Sequence, residues 1–184
     1  MASSDVSVML LHGAWADGSS WSKVIIALAA DGLAVSAPPL PLTSFQDDVS
    51  ALERALERIP GKIVLAGHAY AGAVIAAARS SKVRALVYVA ALAPDEGETV
   101  ADVFYRLKPH PQAPKLAPDD HGLIYLPHEA FAAAFAQNAA ADELAVLAAV
   151  QRPSRSRLPA SPSPCRHPYG STARPGSWWP SGTT

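Results

Sequence analysis

The chain has 184 residues, 49% of them apolar, and a formal net charge of -1, a soluble globular composition long enough for one domain with a sizeable core. The near-zero charge excludes a global basic field for nucleic acid and an acidic, solvating chain. A single cysteine, Cys165, excludes an internal disulfide framework and a cysteine-based zinc site, and fits a reducing, cytoplasmic setting.

At the N-terminus, no Lys or Arg precedes Lys23, and the apolar run from Val6 to Leu11 is too short for a secretion signal. Nothing approaches the roughly 20 apolar residues of a membrane span. Val6 to Leu11 reads as a strand, Ser20 to Ala30 as a helix, and Leu33 to Ala37 as a second strand after the Asp31-Gly32 turn. Ser44 is placed to cap the next helix, with Asp47 in its first turn. Val49, Leu52, Leu56 and Ile59 recur at helical spacing until Pro60-Gly61 ends the run. Lys62 to Ala66 and Val83 to Val89 read as buried parallel strands on either side of a short apolar helix, Ala73 to Ser80. Repeated strand-helix units predict an α/β fold, a parallel sheet of about four strands with helices on both faces.

From Pro94 the texture changes. Pro109, Pro111, Pro114 and Pro118 interrupt a polar stretch, and Ala130 to Ala149 is alanine-rich and helical in pattern. From Pro153 onward come seven prolines, seven serines, no acidic residue, and no valine or isoleucine. That composition predicts a disordered tail unable to supply a buried strand. The expected organisation is a core over 1-93, a second region over 94-152 and a tail over 153-184.

Gly67-His68-Ala69-Tyr70-Ala71-Gly72 is a strand-to-helix elbow built of small residues, as a sharp turn close to neighbouring backbone requires. In Gly-x-Ser-x-Gly elbows the turn pushes a serine hydroxyl out over the sheet, with a helix N-terminus behind it. Here the nucleophile position holds Ala69. With Leu10-Leu11-His12-Gly13-Ala14-Trp15 near the N-terminus, the elbow resembles the α/β-hydrolase superfamily. It is most similar to the small bacterial esterase-like members related to plant methylesterases and hydroxynitrile lyases. Pro41-Leu42-Thr43-Ser44 and Tyr88-Val89-Ala90-Ala91 fit the same pattern, and the resemblance runs from Val6 to Pro153.

The resemblance implies a lineage that hydrolyses small carboxylic esters or related acyl substrates through a serine nucleophile, without cofactor or metal. It implies an oxyanion hole from the backbone N-H groups of Ala14 and Tyr70. It also implies a substrate pocket shaped by His12, Trp15 and His68, a lid over 94-152, and a small ester or aromatic molecule as ligand. The two histidines are expected to be structural, hydrogen-bonding backbone. The triad acid and histidine belong on loops after late strands, beyond Pro153, where no strand can be read. His167 reads as a solvated tail residue, and Asp95, His110, His121 and His128 are the remaining candidates for a rewired triad. Even with these, Ala69 offers no nucleophile. The expectation is a truncated, substituted and inactive copy. The alternative is a non-catalytic small-ligand-binding module on the same fold.

Codon arithmetic gives the tail a further reading. Trp178-Trp179-Pro180 must be encoded TGG TGG CC plus any base. One base earlier the same DNA gives Leu, Met or Val, then Val and Ala, and Thr183 and Thr184 can each become aspartate. An apolar run ending in acidic residues is the expected form of a late strand bearing the triad acid, so a reading-frame shift near Pro153 is expected.

Overall fold

The computed structural model describes residues 5-106, 108 and 113-155. The disorder expected of the tail, its frame-shift reading, His110 and His167 all lie outside the described residues.

Four parallel strands form the main sheet: β1 (Val6–Leu11), β2 (Ala34–Ser36), β3 (Lys62–His68) and β4 (Val83–Val89), in the order β2-β1-β3-β4. They alternate with α1 (Ser22–Ala30), α2 (Phe45–Glu57) and α3 (Ala71–Ala76). Because β2 and β3 flank β1 on opposite sides, the strand order reverses at β1, and the crevice beyond the carboxyl ends of β1 and β3 is where such sheets bind ligands. The register pairs Leu11 with Gly67 and His68 with Val89, so the loops leaving β1, β3 and β4 emerge side by side.

Strand alternation sorts the core into two unequal layers. Met9, Leu11, Ile63 and Leu65 pack with Leu52 and Leu56 of α2 and with Val74 and Ile75 of α3, all of them buried. On the other face, Leu10, Trp21 and Ala66 form a smaller cluster under Ile25 and Leu28 of α1. This helix has no fully buried residue. Val87 and Val89, paired with Ala66 and His68, share the α1 face and remain 43% and 40% exposed. Among the described residues, no strand pairs with the outer edge of β4, and its α1 face is part-exposed.

Local chemistry sets the element ends. Ser44 caps α2 by accepting from the Asp47 amide, as its sequence position predicts. The helix expected over Ser20 to Ala30 is instead a 3-10 turn (Gly18–Trp21) followed by α1. Asp17 causes the break, because its carboxylate accepts from the Ser19 amide and starts the chain turning early. The helix expected over Ala73 to Ser80 begins earlier and stops at Ala76. Ala77 and Ala78 donate to Val74 and Ile75, tightening the last turn, and Arg79 donates its amide to Glu53.

The second half contains α4 (Val100–Phe104), β5 (Leu123–Ile124), α5 (His128–Phe135), α6 (Ala141–Ala149) and β6 (Ser154–Arg155). The alanine-rich segment is two helices rather than one, broken where Ala136 leaves helical geometry before Gln137-Asn138. Ser154–Arg155 pairs antiparallel with Leu123–Ile124, with Ser154 buried, since a ladder needs backbone groups and not apolar side chains. Among the described residues, bonds tie this half to the loops and helix α1 of the first. Trp15 Nε1 donates to Ile124 O at 3.0 Å, Lys23 meets Glu143 at 2.7 Å, and the Arg155 amide donates to Leu42 O at 3.3 Å. Among the described residues, no helix is long and apolar enough to cross a membrane.

Candidate active site at the strand-to-helix elbow

Among the described residues, four non-glycine residues have left-handed backbone: Trp15, Leu42, Ala69 and Ala90, at φ of 59°, 58°, 50° and 43°. Each lies in the segment leaving one of the four parallel strands, beyond its carboxyl end. That conformation costs an L-residue about 1–2 kcal/mol, and such strain concentrates at functional sites. Ala69 is held in it from both sides. Its N-H donates to Val89 O at 3.3 Å, and its carbonyl accepts from the Gly72 and Leu92 amides at 3.1 and 2.9 Å.

The flanking glycines are required by contact. A Cβ on Gly67 would lie 2.7 Å from Ala71 O, and one on Gly72 would lie 2.5 Å from Leu92 O and 2.6 Å from Ala91 Cβ. Gly13 lets the β1 loop close on the elbow, for its Cβ would sit 3.1 Å from Ala69 Cβ and 3.2 Å from His68 O. Among the described residues, neither the Ala14 nor the Tyr70 N-H has a hydrogen-bond partner.

Beneath the elbow, the Tyr70 hydroxyl donates to Asp48 Oδ2 at 2.6 Å, and the Leu42 amide donates to Asp48 Oδ1 at 2.7 Å. Asp48 is fully buried and Tyr70 nearly so. Burial raises the Asp48 carboxyl above its ordinary range, and the bonds from Tyr70 and Leu42 offset this in part. Burial, then the neighbouring carboxylate, pushes the Tyr70 phenol up. This acid links the β2 loop to the elbow, and sequence reasoning missed its role. The available signal was its position on the apolar stripe of α2, in line with Phe45, Leu52 and Leu56.

His12 is completely buried. Its Nδ1-H donates to Gly13 O at 2.9 Å, and Nε2 accepts from the Leu40 amide at 3.0 Å. Both nitrogens are engaged with backbone, and burial holds its pKa below the ordinary value. The ring is a neutral brace for the β1 loop. Trp15 is half-buried and ties that loop to β5. His68, also half-buried, stacks edge-on against Trp21 with centroids 6.3 Å apart, and burial alone lowers its pKa. Asp95, His121 and His128 are exposed.

A cleft of about 430 Å³ opens beside the elbow, walled by Trp21, Val24, His68, Val89, Phe135 and Leu147. Of the residues expected to shape a pocket, His68 alone lines it. His12, Trp15, Ala14, Ala69 and Tyr70 sit in the adjoining turns instead.

A four-stranded parallel sheet with a strained elbow at its switch point defines an α/β-hydrolase fold. The chain belongs to the alpha/beta hydrolase family, whose family model matches residues 8–180. No curated protein matches it. Among solved structures, the chain is similar to polyneuridine aldehyde esterase, at 20% identity and a TM-score of 0.69, covering 83% of this chain and 70% of that one. A pyrethroid hydrolase from Sphingobium faniae JZ-2 aligns at 22% identity and a TM-score of 0.70, covering 88% and 73% of the two chains. A variant of tomato methylketone synthase I aligns at 21% identity and a TM-score of 0.65, covering 82% and 67%. At these identities the likeness establishes the fold.

Proposed function

We propose that this protein descends from hydrolases of small carboxylic esters or related acyl substrates, and that Ala69 leaves its elbow without the nucleophile that chemistry needs. The backbone N-H groups of Ala14 and Tyr70 are the donors assigned to a tetrahedral oxyanion. The carrying observation is Ala69 itself: an alanine in the strained, left-handed elbow conformation, presenting a methyl group where acyl transfer requires a hydroxyl. The free amides of Ala14 and Tyr70 and the close approach of Gly13 support the oxyanion assignment.

Among the described residues, activation is missing as well as the nucleophile. A general base needs a free ring nitrogen within reach of the hydroxyl and a carboxylate to orient it. Both nitrogens of His12 are engaged with backbone, and no carboxylate contributes to the environment of His68. A fluorophosphonate, which phosphonylates an activated serine with loss of fluoride, should leave the wild-type chain unmodified by intact mass. Stoichiometric addition at any serine would overturn the reading.

A further inference from the structure

We propose that the cleft between α1, the end of β4 and helices α5 and α6 binds an uncharged amphipathic small molecule, anchored by a hydrogen bond to the His68 imidazole. This goes beyond the ester reading of the elbow, because the cleft does not include Ala69 or either oxyanion amide.

The size, about 430 Å³, is that of a small-molecule site, and the walls mix apolar side chains with the neutral polar groups of Ser20, Gln137 and Asn138. Trp21, Phe135 and Leu147 provide ring and aliphatic surface. Val24 and Val89 keep 39% and 40% of theirs open to solvent, so an apolar body entering here removes exposed apolar area from water.

The polar anchor follows from what His68 lacks. Its ring packs on Trp21, and among the described residues it makes no hydrogen bond, so its nitrogens can pair with a ligand in place of water. Burial lowers its pKa with no opposing carboxylate. The ring therefore stays neutral near neutral pH and presents one donor and one acceptor.

The charges in the wall select against ionic ligands. Lys23 and Glu143 pair with each other at 2.7 Å, so a charged ligand would have to break that pair to find a counter-ion. A neutral molecule leaves that pair intact, and Ser20, Gln137 and Asn138 offer it uncharged hydrogen-bonding groups. Because Lys23 belongs to α1 and Glu143 to α6, such a ligand would also bridge the sheet and the helices above it.

The test uses the full chain and prodan, an uncharged aminonaphthyl ketone whose emission shifts to the blue out of water. Saturable binding is expected, with His68→Phe weakening it about five- to tenfold, the loss of one hydrogen bond. Leu147→Trp, which fills the cleft, should abolish it. The corresponding naphthyl carboxylate should bind at least about tenfold more weakly than the ketone. Undiminished prodan affinity in His68→Phe, with the fold intact by circular dichroism, overturns the proposal. Ester turnover plays no part in this readout, so the fate of the elbow assignment is decided separately.

Discussion

Tyr70→Phe isolates the contact that holds the elbow from below. The substitution keeps the ring, buried to 3% exposure, and removes only the hydroxyl that donates to Asp48 Oδ2 at 2.6 Å. Asp48 is 0% exposed, so no water replaces the lost donor, and the carboxyl keeps a single bond, from the Leu42 amide. Removing one partner of a buried, charge-assisted hydrogen bond costs about 1.5–3 kcal/mol. At about 2–4 °C per kcal/mol for a chain of this size, a loss near 2 kcal/mol lowers Tm by roughly 4–8 °C. Thermal unfolding followed by circular dichroism measures this directly. Asp48→Asn should cost less, since an amide can still accept from Leu42 and donate to the tyrosine oxygen. In the double variant the two losses should fall short of additive, because both delete the same contact. A Tyr70→Phe protein with a Tm within about 1 °C of wild type would refute the claim that Asp48 braces the elbow through Tyr70.

Three further outcomes follow from the packing. Gly72→Ala should destabilise by about 3 kcal/mol or prevent soluble expression, because its Cβ would meet Leu92 O at 2.5 Å; a variant with wild-type Tm would show that the elbow can yield. Hydrogen exchange should be faster along Val83–Val89 than along Lys62–His68, and the protein should self-associate through the open β4 edge. Equal protection of the two strands in a monomer contradicts this. Burial depresses the pKa of His12 below its ordinary 6.5, so the unfolded chain binds more protons than the fold just below that value. Stability is therefore fully present above pH 6.5 and is lost as pH falls from there through the depressed folded pKa. His12→Gln should flatten the fall, and an unchanged Tm-pH profile would count against a neutral buried ring.

The strands were legible because their apolar runs and bounding turns are local signals: the bounds of Val6–Leu11 and Val83–Val89 coincide with the sequence reading. So was the elbow, whose flanking Gly67 and Gly72 are each required by contact. Helix α4 was not read, although Thr99 and Asp102 form a full capping box at its start. The break between α5 and α6 escaped because alanine suits either helix and leaves the polar Gln137-Asn138 as the weak signal. Asp48 escaped because a buried acid inside an acidic helix start looks like ordinary dipole complementation. Its meaning lies in Leu42 and Tyr70, six and 22 residues away. The cleft was illegible for the same reason: it joins α1 to α6 across the whole chain.

Initial-rate hydrolysis of a short-chain aryl ester, compared between wild type and Ala69→Ser, tests the central claim most directly. Loss of triad members reduces turnover on the order of 10⁴- to 10⁶-fold, so wild type should sit near the buffer rate. Ala69→Ser should remain there too, because among the described residues no oriented base faces a hydroxyl in the elbow. Robust saturable turnover by either protein would contradict the account.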